Sequence, residues 1–498
     1  MDTSMNNILG ELAEVQKLMA TGDYRLALDK LDHYMATAGI PEAEWYVEEL
    51  RSRIYMDLGE AEESIAHIWA SVQCKAGLSR GRQQYNYSNY LFLQHYATDM
   101  PDERRRDDAF FYHGFELGLE TFQHSRARHQ AHKRLRIGYI APYFQDNVVS
   151  SFSIQLLGAY DRRRFEVHCY VCGRSDDETA EYIRGKVDGW YETSREGQYQ
   201  PRQMAERIYE DEIDILFDLG GHSAGGLSLQ VAAYHPAPVQ ISGIGYMSTT
   251  GMRNMDYFLG DPYCDPPGMS EADFSERLLR LPHSHFCYTP TELAYKAKRE
   301  REPHEGIVFG SFNNFLKVNE RVLACWAEIL RRVPDSCLLL KYMLTNPQAQ
   351  RRFKSKMRAA GIPMERVTIE NFTRQYMARY NAVDIALDTF PYVGGGTTCD
   401  ALYMGVPVVS LYGRRHGTRF GYSLLMNAGL GELAAGSEED YVEKAVALAH
   451  DKELLAALHK NIPQLFRQSP VMDARGYVCD VQEAYERVWQ QWLAGKEA

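Results

Sequence analysis

Apolar and polar positions follow two different patterns along this chain. Up to about residue 125 the apolar residues recur at helical spacing. Leu28, Leu31 and Met35 follow Gly22-Asp-Tyr-Arg-Leu-Ala27, and Ile65, Ile68 and Trp69 follow Leu58-Gly-Glu-Ala61. Each segment sets a glycine at a helix junction and an apolar face on the next helix. From Leu135 short apolar runs take over. Leu135–Ala141, Phe165–Val171 and Ile213–Leu219 read as buried strands, with helical segments such as 202–209 between them. The alternation resumes after a polar stretch near 296–305. Strands are expected at Ile307–Phe312, Cys337–Lys341, Arg366–Ile369, Ile385–Asp388 and Val408–Leu411, and a helix over Glu320–Arg332. Strands alternating with helices predict parallel, doubly wound sheets. The fold class expected is α/β, with two doubly wound halves, 135–295 and 296–498. An all-α region, 1–125, and a basic linker, 126–134, precede them. Ligands in such sheets bind outside the carboxyl ends of the strands.

The glycine spacing in the helical region approximates the ~34-residue tetratricopeptide period. The full aromatic and proline pattern is missing, and an ordinary helical bundle is the alternative. The linker carries Arg126, Arg128, Lys133, Arg134 and Arg136 with His124, His129 and His132. The histidine spacing fits no common ligand set, so a solvated linker without metal is expected. Cys169-Tyr-Val-Cys172 lies in an apolar run, and no second cysteine pair completes a zinc site. Its expected role is structural.

Composition narrows the function classes. The 498 residues are enough for about three domains. A formal net charge of -12 argues against general nucleic-acid binding. No apolar run approaches ~18 residues and no leader-like start is present, so a cytoplasmic chain without membrane partners is expected. Nine cysteines in a chain of this length do not form a disulfide framework.

The chemistry concentrates just after predicted strands. Asp388-Thr-Phe-Pro-Tyr-Val-Gly-Gly-Gly-Thr-Thr-Cys-Asp400 reads as strand, glycine turn and helix start. Gly394, Gly395 and Gly396 allow close backbone approach to a ligand. Thr397 and Thr398 are expected to cap a helix beginning near Cys399. The positive end of that helix then forms an anion site, most naturally for a diphosphate, with Asp400 placed to accept from ribose hydroxyls. In Phe309-Gly-Ser-Phe-Asn-Asn-Phe-Leu-Lys317, Asn314 and Lys317 join the same ligand, and Lys317 is a point charge suited to a departing nucleoside diphosphate. His222, in Gly-Gly-His-Ser-Ala-Gly, is the candidate catalytic base, with flanking glycines giving it access to a sugar. Tyr246 in Gly245-Tyr-Met-Ser-Thr-Thr-Gly251, and His416 and Arg419 beside Arg415, are candidate acceptor or sugar contacts. No Asp-x-Asp motif occurs in the chain. Lys317 and the helix N-terminus are therefore expected to neutralise the leaving group without a metal or other cofactor.

These segments together resemble the O-GlcNAc transferase family, including its plant SPINDLY-like branch and bacterial members. The resemblance rests on Gly221-His-Ser-Ala-Gly, His235-Pro-Ala-Pro-Val-Gln, Gly245-Tyr-Met-Ser-Thr-Thr-Gly, Gly310-Ser-Phe-Asn-Asn and Asp384-Ile-Ala-Leu-Asp-Thr-Phe-Pro-Tyr. Thr397-Thr-Cys-Asp-Ala-Leu-Tyr-Met-Gly-Val-Pro-Val-Val completes it. It covers Leu135 to the C-terminus. It implies two Rossmann-like domains of GT-B type and an inverting, metal-independent sugar transfer to protein. It also implies that Lys317, Thr397 and Thr398 contact the diphosphate, Asp400 the ribose, and Tyr376 and Arg379 the nucleobase. The family's Asp-Phe-x-x-His becomes Tyr143-Phe-Gln-Asp-Asn147 here, so Asn147 replaces an active-site histidine. Tyr376 replaces a histidine that can likewise stack, and Met247 a proline.

The expected activity is transfer of a sugar to serine or threonine hydroxyls of a protein, GlcNAc from UDP-GlcNAc first among donors. UDP-glucose and GDP-fucose are rivals, as is asparagine-linked glucosylation. A non-catalytic helical-repeat scaffold that keeps nucleotide binding is a third reading. The partners expected are a nucleotide sugar and an acceptor protein, with self-association through the helical region possible in principle.

Overall fold

The computed structural model describes residues 3–37, 40–193, 200–342, 346–371, 373 and 375–495. Helices Thr3–Thr21, Tyr24–Thr37, Pro41–Leu58, Ala61–Gln73, Arg80–Leu93 and Asp102–Phe111 build the N-terminal region. Gly59 closes the third of them at φ 81, a left-handed helix end that glycine adopts freely.

Two parallel sheets follow. The first holds β1 (Leu135–Ala141), β2 (Phe165–Val171), β3 (Gly189–Glu192), β4 (Ile215–Asp218), β5 (Val239–Ser242), β6 (Tyr257–Gly260) and β7 (Arg277–Arg280). The second holds β8 (Ile307–Ser311), β9 (Ser336–Tyr342), β10 (Val367–Asn371), β11 (Ile385–Leu387), β12 (Val408–Leu411) and β13 (Ala434–Ala435). Their orders are β3-β2-β1-β4-β5-β6-β7 and β10-β9-β8-β11-β12-β13. The two sheets thus share one winding, reversing between β1 and β4 and between β8 and β11. Crevices at those reversals are where such sheets bind ligands. Helices cover both faces, so the central strands are largely apolar. Ile137, Tyr139, Ile140 and Ala141 of β1 are all buried. The helix Glu320–Arg332 matches its expected span. Asn319 accepts from the Val322 amide at its start, and Arg331 and Arg332 lie in its last turn.

Three expectations are corrected. The first concerns the C-terminus. Helix Ala474–Leu493 packs on the first sheet rather than completing the second half. Tyr485 Oη lies 3.0 Å from Tyr139 Oη, and Tyr257 Oη donates to Gln491. Second, the 126–134 segment is only partly solvated: Arg126, Gln130 and Lys133 are exposed, but its histidines turn inward. It forms a short helix, Arg126–His129, and its His129 is 3% exposed with Nδ1 2.7 Å from Asp214. His132 bridges Asp214 and Glu212. Buried carboxylates need such partners, which is why the histidines turn inward.

Third, the glycines around His222 make room for protein rather than for a sugar. A Cβ on Gly225 would fall 2.1 Å from the Tyr85 ring, and one on Gly226 2.3 Å from Ser88 Oγ. Both glycines have positive φ and let the helix Arg80–Leu93 dock directly on the loop after β4. One apolar cluster joins Ile68, Tyr87, Tyr90 and Tyr112 to Leu229, Met252 and Leu316. The helical region also grips the second half: Lys356 donates to the Gly59 carbonyl and pairs with Glu60, and Asn346 donates to the Gly22 carbonyl. Among the described residues no helix is long and apolar enough to cross a membrane.

Candidate active site

The two reversal points hold matching devices. Asp218 ends β4 and Asp388 follows β11. Asp218 accepts from the amides of Gly220 and Gly221 and from Ser242 Oγ at 2.7 Å. Asp388 accepts from the amides of Thr389 and Gly394, from Asn313 Nδ2 and from Ser410 Oγ at 2.7 Å. Each carboxylate folds a glycine loop over its strand end. Burial raises the pKa of both carboxyls, and the bonds they accept oppose that rise.

The loop held by Asp388 is the diphosphate candidate. Helix Gly396–Met404 starts at Gly395 with no side-chain cap. The threonine hydroxyls do not cap it as expected. Thr397 Oγ1 donates to Asn313 Oδ1, and Thr398 Oγ1 donates back to the Gly394 carbonyl. Among the described residues, no group accepts from the amides of Gly396, Thr397 or Thr398. Three N–H groups at the positive end of a helix therefore face the cleft unpaired. Gly394 itself is sterically required. A Cβ there would lie 2.5 Å from Thr397 Oγ1 and 2.9 Å from Asp388 Oδ1.

Lys317 stands beside this turn. Asn314 accepts from the Leu316 amide and shapes the 3-10 turn Phe315–Lys317 that presents it. Lys317 Nζ donates to the Val393 carbonyl at 3.1 Å and sits 3.8 Å from the Tyr392 ring centre. Among the described residues no carboxylate pairs with it within 4.0 Å. Burial pushes its ammonium down to about 8, and the more distant Asp388 charge only partly offsets this. A desolvated cation beside three unpaired amides is an anion site.

Opposite it, Asn147 caps the helix Val148–Gly158 through the Ser150 amide. A Cβ on Gly396 would come 2.7 Å from Val148 Cγ2. The loop after β1 therefore meets the loop after β11 directly, with Asn147 serving helix geometry. Asp400 is buried and accepts from Tyr288 Oη and Tyr376 Oη. Two predicted nucleotide residues, Tyr376 and Asp400, are thus brought together. Burial raises the Asp400 carboxyl to about 6 against the pull of both tyrosines.

Other candidates fall elsewhere. His222 is wholly buried. Its Nε2 donates to the Thr250 carbonyl at 2.9 Å, and its Nδ1 lies 3.0 Å from Ser88 Oγ. Burial lowers it to about 3, so the ring is neutral and Nδ1 accepts from Ser88. With both nitrogens used, His222 ties the helical region to the first sheet and is not placed as a base. Arg379 pairs with Glu370 and Glu302 at 2.8 and 3.0 Å. Arg419 donates to the Tyr263 and Gly413 carbonyls and braces its own loop. His416 Nδ1 lies 2.7 Å from Asp265, within a box of Phe258, Phe274 and Phe420.

Between the helical region and both sheets lies a small cavity of about 30 Å³. Its walls include His95, Arg105, Tyr246, Ser248, Arg415 and His416. Arg415 pairs with Asp102 of the helical region at 2.7 Å, and His95 Nε2 lies 3.2 Å from Tyr246 Oη. His95, Tyr288, Tyr392 and Asn313 are site-facing residues absent from the sequence-derived set. Tyr392 and Asn313 stood inside quoted motifs; His95 carried no local signal. Two further groups have ligand spacing for an ion: His129, His132 and Asp214, and Asp261, Cys264 and His285. Both are held by internal hydrogen bonds, such as those Asp261 accepts from His285 Nδ1 and Ser423 Oγ.

Two doubly wound sheets joined at their reversal points, with a cationic glycine cradle in one of them, are the architecture of the GT-B fold class. Comparison with known proteins agrees. The glycosyl transferase family 41 profile matches residues 116–294 and 289–481, and the chain belongs to that family. It is 36% identical over 373 residues to the probable UDP-N-acetylglucosamine--peptide N-acetylglucosaminyltransferase SPINDLY of Arabidopsis thaliana. That match covers 73% of this chain and 40% of the relative. The SEC protein of the same plant is 30% identical over 403 residues, covering 76% of this chain and 40% of that one. The chain therefore spans about 40% of the length of these curated relatives. A solved mutant of the Thermobaculum terrenum O-GlcNAc transferase superposes with a TM-score of 0.84 at 28% identity. It covers 98% of this chain and 90% of the other.

Proposed function

We propose that this protein transfers a sugar from a nucleotide donor to serine or threonine hydroxyls of an acceptor protein. The donor proposed first is UDP-GlcNAc, by likeness to relatives whose names specify it. The observation that carries the reading is the Lys317 ammonium, without a carboxylate partner among the described residues, beside the unpaired amides of Gly396, Thr397 and Thr398. That cradle matches the charge a nucleoside diphosphate gains as the glycosidic bond breaks, when preorganised donors act most strongly. Asp400 and Tyr376 stand where ribose and base would follow. The neutralising work falls to lysine and backbone, so transfer is proposed to proceed with no divalent cation. The test is a panel of UDP-GlcNAc, UDP-glucose and GDP-fucose with Ser/Thr peptides, read by mass in the presence of a chelator. Transfer from one donor supports the reading. No transfer from any donor, or transfer only when magnesium or manganese is restored, contradicts it.

A further inference from the structure

The proposed transfer needs a group to take the acceptor proton, and the two sequence-level candidates do not supply it. Asn147 cannot accept a proton at neutral pH, and His222 has both nitrogens engaged. His416 is oriented by Asp265, yet its Nε2 is enclosed and reaches no partner.

His95 differs from both histidines. It comes from the short 3-10 turn Gln94–Tyr96 at the end of helix Arg80–Leu93, so the helical region delivers it. It is 7% exposed and forms part of the cavity wall beside Tyr246 and Arg415. Nε2 is held at 3.2 Å by Tyr246 Oη. Nδ1 has no hydrogen-bond partner among the described residues and is not sealed away like the His416 nitrogen. The imidazole ring also neighbours the donor cradle. Its centre is 6.3 Å from that of Tyr392, the ring on which the Lys317 ammonium sits at 3.8 Å. A leaving phosphate oxygen, an anomeric carbon and an attacking hydroxyl (~3 Å apart at the reacting pair) fill a span of that order.

We propose that His95 is the general base of the transfer, contributed to the active site by the helical region. This rests on the transferase reading above. Nε2–H donates to Tyr246 Oη, leaving the Nδ1 lone pair toward the acceptor. The hydroxyl oxygen forms a bond to the anomeric carbon as the carbon–oxygen bond to the diphosphate breaks. The bonding pair leaves with the nucleoside diphosphate, and the hydroxyl proton passes to Nδ1. Burial and the charges of Arg415 and Arg105 lower the pKa of His95 well below its usual value, with smaller contributions from His222 and His416. The ring of the free protein is therefore neutral at physiological pH, with the Nδ1 lone pair unprotonated.

The test compares the full chain with His95→Gln, which keeps a donor near the Nε2 position, with His95→Ala and with His416→Gln. UDP-GlcNAc, UDP-glucose and GDP-fucose serve as donors and a Ser/Thr peptide library as acceptor. We expect His95→Gln to lower kcat about 100-fold or more, with UDP affinity and melting temperature close to wild type. Added imidazole is expected to restore part of the His95→Ala rate. The proposal is overturned if His95→Gln transfers within a few-fold of wild type. It is overturned equally if imidazole rescues nothing while UDP binding falls in parallel, or if His416→Gln alone abolishes transfer. An inert wild type sinks the transferase reading itself, and the role of His95 with it. An active wild type with an unimpaired His95→Gln sinks only the base assignment.

Discussion

Lys317 Nζ lies 3.8 Å from the centre of the Tyr392 ring and has one backbone carbonyl as its hydrogen-bond acceptor. The tyrosine face supplies part of what a carboxylate would otherwise supply. The cation is thus kept close to the glycine turn without being neutralised. Replacing Lys317 with alanine should therefore separate function from stability. The transfer rate should fall ~100-fold or more, as for other lost preorganised electrostatic contacts. The melting temperature should hold or rise, because a desolvated cation without an ionic partner has been removed. Steady-state kinetics and calorimetry on the same preparation check both halves. Wild-type turnover would remove Lys317 from the mechanism.

The depressed lysine pKa gives nucleotide binding a pH signature. The free protein holds Lys317 charged below about pH 8 and loses that charge above it. A bound diphosphate raises the lysine pKa again, so the complex keeps its proton to higher pH. Affinity for UDP should therefore be flat from pH 7 to 8. Above that it should weaken by up to about tenfold per unit, the limit for one linked proton. Titration calorimetry across pH 7 to 10 reads the slope, and the slope should vanish in Lys317→Ala.

Asp400 predicts the opposite pairing of stability and function. Its folded carboxyl is raised by burial to about 6 from its ordinary 3.8. Between those values the folded state binds more protons than the unfolded one, so stability falls as pH rises through the window. At pH 7 the buried charge is a standing cost. Asp400→Asn should melt higher than wild type at pH 7, with the gap closing as pH falls toward 4. It should also weaken UDP binding if the carboxylate receives the ribose. Melting curves at several pH values with a parallel UDP titration test both.

The helical region is built into the body of the two sheets. Tyr87, Tyr90 and Tyr112 share a core with Leu229, Met252 and Leu316, and Ser88 bonds His222. Deleting residues 1–115 would expose that apolar surface and strip His222 of a partner. Such a truncated chain should aggregate or lose cooperative melting, and should not bind UDP. Limited proteolysis and thermal melting decide it. A stable, nucleotide-binding remainder would mean that the helices are an independent module.

Much of this architecture was legible in the sequence because parallel strands covered on both faces are continuous apolar runs. β1, β2, β8 and β12 declare themselves that way. β5, β6 and β7 did not, since four-residue strands among glycines and polar turns carry little periodicity, and Arg277 and Arg280 of β7 break the apolar pattern. The glycine–threonine turn was readable from chemistry alone. The partners of Arg379, the enclosure of His222 and the arrival of His95 were not, because each depends on residues brought from a distant part of the chain. Ser88 and His222 are 134 positions apart, and no local spacing foretells their meeting.

The account stands on the place of the diphosphate. A crystal structure of the full chain with UDP, grown in chelator, tests that most directly. It should place the β-phosphate against the Gly396, Thr397 and Thr398 amides with Lys317 Nζ in contact, and the ribose near Asp400. A nucleotide seated away from Lys317, or one that orders only around a divalent cation, would contradict it.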